Sequence, residues 1–374
     1  MRLRVLGIMI PIIIVAFSYG IVVGLYEYFP YEELNQVKKT IFDEGDDVPN
    51  NTSTRLEKFD VSSIIGIETR EDLTYKKDSL IKYIWKDQMP TELPTSIEEN
   101  FIDDNFSDLK NLKQLDKITI EMEYGVNSIA YFFIPHESNN KLIIYHHGHA
   151  GDFMLEKNTL AFFLNNGYSI VGFNMPLKGT NNQPVIETSD FGPVKFISHN
   201  QFLLLESSKF SPIKYFVEPI VLSLNYIDEN YDYDDYYMVG ISGGGWTTVV
   251  YSAIDERISD SFSIGGSIPF YLRVDSRDMG DYEQTNIKLY ENVNYLELYV
   301  LGAYGDERQH IQIFNKNDPC CFSGNGSETY EFVIKDRISQ LGKGDFQIFI
   351  DDSHKEHKIS ENVLGIILKS INEF

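Results

Sequence analysis

The sequence predicts an α/β protein, a mostly parallel central sheet with helices on both faces, preceded by an N-terminal transmembrane helix. Three observations carry that expectation. From Asp116 onward, short β-rich apolar runs alternate with helical ones, the order that produces parallel strands joined by crossover helices. The first apolar run, Val5–Tyr26, contains no charged residue. Within "DYYMVGISGGGWTTVV" a strand-like alternation gives way to helical spacing across one serine set among glycines.

Taken in chain order, Val5–Tyr26 would span roughly 33 Å as a helix, about one hydrocarbon core. Arg2 and Arg4 precede it and Glu27, Glu32 and Glu33 follow, so the positive-inside rule places the N-terminus in the cytoplasm and the rest outside the membrane. Residues 1–30 are thus read as a single-pass membrane anchor, or as a signal segment whose cleavage would release a secreted protein. Residues 31–60, with "DEGDDVPNNTSTR", have the polar, acidic composition of a linker. Residues 61–374 form the α/β domain, with an N-terminal extension to about residue 115. In that extension "KKDSLIKYIWKDQMP" predicts a helix ending before Pro90, and "PTELPTSIEENFIDDNFSDLKNL" reads as an irregular lead-in.

The domain proper opens with strands at "KITIEMEY", "SIAYFFIP" and "KLIIYHHG". Helical "TLAFFLNNG", strand "YSIVGFNMP", helical "SPIKYFVEPIVLSLNYI" and strand "YYMVGIS" follow. "RISDSFSIGGS", "HIQIFNKND" and "FQIFID" supply later strands, and "ISENVLGIILKSINEF" closes the chain as an amphipathic helix.

Composition narrows the function classes. At 374 residues and net charge −24, the chain can bury a large core but lacks the clustered Lys and Arg that a nucleic-acid partner needs. Its two cysteines, Cys320 and Cys321, are adjacent and cannot staple distant segments. They form either a vicinal disulfide or two reduced thiols.

A serine at a tight strand-to-helix turn has its hydroxyl raised above the sheet edge, and only small neighbours fit around it. Gly240, Gly243 and Gly244 meet that requirement around Ser242. The following helix aims its free N–H groups at negative charge developing beside the serine. A phosphate loop is the competing reading, but the Walker lysine is missing and GxGxxG does not fit "GISGGGW".

From about Asp116 to Phe374 the chain resembles the α/β-hydrolase superfamily. "HHGHAG" after an early strand, "GISGG" at the elbow, "NKNDP" after a late strand and "DDSHKEHKIS" before the last helix carry the resemblance, in the order Ser, Asp, His. It implies a serine hydrolase with a catalytic triad that needs no cofactor and no metal. Ser242 would be the nucleophile, Asp318 the acid and His357 the base, with Asp306 and His354 as the alternatives. Asp318 is favoured because "IQIFN" is the better strand with the tighter turn, and His357 because Ser360 just beyond it suits a helix N-cap. The oxyanion hole would use backbone N–H groups of Gly243 and His149, with Gly148 giving the loop its close approach. The insertion "GTNNQPVIETSDFGPVKFISHNQFLLLESS" is long enough to line the site.

The expected reaction is acyl transfer to water from a small-molecule or peptide acyl substrate, esters before amides. Two other readings stand beside it. One is a catalytically idle hydrolase fold that serves as a binding module. The other is a zinc-dependent hydrolase built on His147, His149 and Asp152 of "HHGHAGD". Asp275, Asp278 and Asp281 lack the spacing of a calcium loop and read as a solvated helix face.

Overall fold

Alternation of buried side chains along β-strands, one set to each face, organises the domain. The structure, a computed structural model, describes residues 59–373 together with Tyr19. The expected anchor and most of the acidic linker lie outside the described residues, among which no helix is long and apolar enough to cross a membrane. Asp60–Phe374 forms one compact unit.

The extension begins with helix α1 (Arg70–Trp85), which starts six residues before the predicted run because Thr69 and Asp72 form a reciprocal capping box. The lead-in is not wholly irregular, since it supplies the short strand β1 (Ser96–Glu98). Strands β2 (Leu112–Glu121), β3 (Asn127–Pro135) and β4 (Lys141–His146) follow as expected. Helix α2 (Lys157–Asn165) leads to β5 (Ser169–Phe173). The insertion after it folds as a separate hairpin of β6 (Val185–Thr188) and β7 (Gly192–Lys195), then a 3-10 turn, His199–Leu204.

Helix α3 (Lys214–Asn230) precedes β8 (Asp235–Ile241), α4 (Gly243–Ile254) and β9 (Ile258–Ile264). Short helices α5 (Tyr282–Thr285) and α6 (Ile287–Asn292) lead to α7 (Tyr295–Ala303), so "LELYVLGA" is helical. After it come β10 (Gln309–Asn315), α8 (Glu328–Leu341), β11 (Asp345–Asp351) and α9 (Glu361–Glu373).

Nine strands make one sheet in the order β1-β2-β3-β5-β4-β8-β9-β10-β11. β5, β4, β8, β9, β10 and β11 are mutually parallel neighbours, while β3 runs against both β2 and β5. Except at the edge strand β11, their near-continuous burial reflects helices on both faces. In β4, Leu142 and Ile144 join one core and Ile143 and Tyr145 the other. The first core packs against α1, α3, α4, α7 and α8, the second against α2 and α9. On α9, Val363, Leu364, Ile367 and Ile371 are buried, each worth about 1.5–3 kcal/mol relative to exposure. The loops after β4, β8, β10 and β11 therefore leave the same carboxyl edge of the sheet, where α/β proteins assemble their sites.

Candidate active site

Ser242 is the single residue between β8 and α4, and the reversal holds its backbone at φ 57, ψ −125. Such a conformation costs a non-glycine residue about 1–3 kcal/mol and persists only where its surroundings enforce it. Here Ser242 N–H donates to Ile264 O at 2.8 Å, and Trp246 N–H donates to Ser242 O at 3.0 Å. Glycines make the turn possible by close approach. A Cβ on Gly240 would overlap the Gly244 carbonyl, and one on Gly148 would come 2.6 Å from Ser242 Cβ.

Asp318 and His357 meet at this edge, with His357 Nδ1 at 2.6 Å from Asp318 Oδ2. Asp318 leaves β10 in a turn closed by its N–H on Asn315 O, and its Oδ1 accepts the Cys320 N–H at 2.8 Å. Burial alone would raise the Asp318 carboxyl, but the His357 imidazole and the backbone N–H overcome it and hold the group below the usual carboxylate value. With Nδ1–H given to Asp318, His357 Nε2 carries a lone pair, and this atom is buried without a hydrogen-bond partner.

No hydrogen bond joins Ser242 Oγ to His357 Nε2 in this structure. Both residues nevertheless border the end of β9. His357 Cε1 lies 3.5 Å from the position of a Cβ on Gly265, the residue after the Ile264 carbonyl that anchors Ser242.

The two alternatives go elsewhere. His354 Nε2 lies 3.3 Å from Asp351 Oδ2, and that carboxylate is committed to the Ser360 hydroxyl at 2.5 Å and the Asn362 amide at 3.1 Å. Asp306 lies before β10, at the opposite edge of the sheet, and pairs with Lys343. The adjacent cysteines beside Asp318 are joined as a disulfide.

His149 presents two faces to the site. Its ring packs on the first residue of α4, since a Cβ on Gly243 would lie 2.5 Å from His149 Cε1. Its backbone N–H donates to no protein acceptor, and helix geometry leaves the Gly243 N–H free as well. Two N–H groups without a protein acceptor thus belong to segments that meet at Ser242.

The zinc reading of "HHGHAGD" does not assemble. His147 Nδ1 lies 3.5 Å from Tyr145 Oη, burial first and neighbouring imidazoles second push its pKa down to about 4, and Asp152 caps a 3-10 turn through the Met154 N–H. Only His149 of that stretch joins a metal-competent cluster, and its companions are His199, Asp281 and Glu283. His199 and Glu283 escape sequence reasoning, as they lie 50 and 134 positions from His149 without any local motif. Asp281 immediately precedes α5 and lies 3.4 Å from His149 Nε2, so "DSRDMGDYE" is not a solvated helix face.

No family model and no curated protein matches the chain. Solved structures do. The methylesterase BT1017 aligns with a TM-score of 0.55 at 12% identity, covering 86% of this chain and 68% of that one. The acetyl xylan esterase from Paenibacillus sp. R4 aligns at 0.52 and 10% identity, covering 86% and 99%. Acetyl xylan esterase 1 from Thermoanaerobacterium sp. JW/SL YS485 aligns at 0.51 and 15% identity, covering 81% and 93%. With its sheet order and its strand-serine-helix junction, the chain has the α/β-hydrolase fold.

Proposed function

We propose that the protein is a serine hydrolase of carboxylic esters. The observation that carries this reading is the 2.6 Å Asp318–His357 pair on the same sheet edge as a serine held at φ 57. Similarity in fold to three esterases favours esters over amides.

In this mechanism Ser242 Oγ attacks the acyl carbon while His357 Nε2 takes the hydroxyl proton. The same proton passes to the departing alkoxide, leaving an acyl-serine and a free alcohol. Water, deprotonated by His357, then attacks the acyl carbon and releases the acid, and the proton returns to Ser242. Asp318 keeps the imidazole in the required tautomer and stabilises its cation without taking the proton. Donors at Gly243 and His149 stabilise the tetrahedral oxyanion, each worth about 3 kcal/mol. A modest shift of the His357 loop must close the Ser242–His357 hydrogen bond, which commonly tightens only in the substrate complex.

The charge-free run Val5–Tyr26 supports placing this domain outside the membrane on a single N-terminal anchor. The central test is labelling by a fluorophosphonate probe in wild type and Ser242→Ala. Labelling that depends on Ser242 is expected; equal labelling of both proteins removes the serine from the mechanism, and no labelling of wild type leaves the idle binding module.

A further inference from the structure

Beside the loop after β4, four side chains from three separate segments bring ligand atoms within 4.8 Å of one another. His149 comes from the loop after β4, His199 from the insertion after β5, and Asp281 and Glu283 from the start of α5. His149 Nε2 lies 2.9 Å from Glu283 Oε1, 3.1 Å from His199 Nδ1 and 3.4 Å from Asp281 Oδ2. His199 Nδ1 lies 3.2 Å from Glu283 Oε2. Ligands about 2.0–2.2 Å from one tetrahedral centre stand roughly 3.3–3.5 Å apart. The observed 2.9–3.4 Å separations lie at or slightly inside that range, so a small outward adjustment would admit an ion.

With both imidazoles neutral, hydrogen bonding does not account for the convergence; a second proton on His199, or a cation, must supply what is missing. His199 Nε2 lies 2.7 Å from the Pro176 carbonyl, which only accepts, so that nitrogen carries a proton and, in the neutral ring, Nδ1 presents a lone pair. The lone pair faces a carboxylate oxygen. A single proton on His149 Nε2 aligns with His199 Nδ1 and leaves Glu283 Oε1 without a hydrogen bond, although Glu283 is fully buried. In the neutral form the acceptors share one proton in a place where an unpaired carboxylate is costly. A cation at the centre would satisfy all of them.

The surroundings match a metal site in two further ways. A metal-bound imidazole usually gives its other N–H to a carbonyl or carboxylate, as His199 does to Pro176. The Glu283 backbone is fixed independently, its carbonyl accepting the Tyr290 hydroxyl, which in turn accepts the Trp246 indole N–H from α4. Asp281 is the exposed member, with 41% of its side chain open, and provides the entry path.

We propose that His149, His199, Asp281 and Glu283 bind a divalent first-row transition-metal ion, zinc foremost, and that the ion fixes the loop that carries the His149 N–H. Two imidazole nitrogens with two carboxylate oxygens suit such an ion better than magnesium or calcium, which prefer oxygen alone. The two carboxylates balance its charge. The binding stands on the cluster by itself; the effect on the oxyanion hole rests on the acyl-transfer reading above.

The test uses the purified full chain. Equilibrated with micromolar zinc and freed of excess, wild type should retain about one ion per chain, and cobalt in its place should show the intense visible bands of a tetrahedral site. Glu283→Gln and His199→Ala should each weaken zinc affinity by about 100-fold or more, and Asp281→Asn by about 10-fold. Wild type that retains no zinc, or variants that retain it as tightly as wild type, would overturn the site. If the buried substitutions prevent folding, as judged by circular dichroism, the exposed Asp281→Asn and the wild-type cobalt spectrum decide. Fluorophosphonate labelling in parallel separates the two readings. Zinc bound without Ser242 labelling removes the acyl-transfer reading and leaves the metal site, and Ser242 labelling without zinc does the reverse.

Discussion

Two histidine–carboxylate assemblies flank the elbow, and they differ in where their lone pairs point. At Asp318–His357 the carboxylate is occupied by an imidazole N–H and a backbone N–H, which leaves His357 Nε2 as the unfilled acceptor. At Glu283 two imidazole nitrogens, from His149 and His199, both meet the carboxylate, one at each oxygen. The first is arranged to take a proton from something that arrives, the second to hold a cation in place. Residue type alone does not separate these roles. What separates them is the partner of each histidine's second nitrogen.

Substitutions can break this comparison, and the largest effect should come from Ser242→Ala, with ester turnover falling by about 10⁶-fold. Turnover within tenfold of wild type would refute the nucleophile. Asp318→Asn should cost about 10⁴-fold, because the amide favours the wrong imidazole tautomer while keeping the fold. His357→Ala should lose about 10³-fold or more in kcat, whereas His354→Ala, paired with Asp351 away from the site, should stay within about tenfold of wild type. A reversed ranking of these two would reassign the base.

A third carboxylate sharpens the contrast at the smallest scale. Asp260 on β9 is buried with no imidazole beside it, and desolvation, only partly offset by the Gln309 hydrogen bond, pushes its pKa up to about 7. The native protein thus holds a proton that the unfolded chain releases near its ordinary value of 3.8. Native binding of the extra proton means that stability falls as pH rises from about 4 to about 7. Asp260→Asn should flatten that decline and stabilise the protein by about 1–3 kcal/mol at pH 8. Urea midpoints at pH 5 and pH 8 that change in parallel for both proteins would contradict it.

The fold was legible wherever a local pattern carried it. Strand runs such as "KLIIYHHG", the elbow and the closing helix each announce themselves by period or by glycine spacing. α7 does not, because every residue from Tyr295 to Ala303 is buried and a helix buried on all sides shows no apolar stripe. α8 does carry the signal, with Tyr330, Ile334, Ile338 and Leu341 buried at helical spacing. Of the site, Ser242, Asp318 and His357 follow from strand ends and turn chemistry. The Glu283 cluster does not, since three loops far apart in sequence meet only through the tertiary fold. A short capping box at Thr69 was readable too, and it sets the true start of α1.

The contacts of α1 have a consequence for how the protein is made. Arg70 donates to the Leu341 carbonyl across 271 positions, and Lys76 reaches Glu297 across 221. A helix that leaves the ribosome early therefore finds its binding surface only when synthesis is almost finished. During synthesis the chain must be kept unaggregated for most of its length, and a premature stop before α8 would deprive the first helix of its seat.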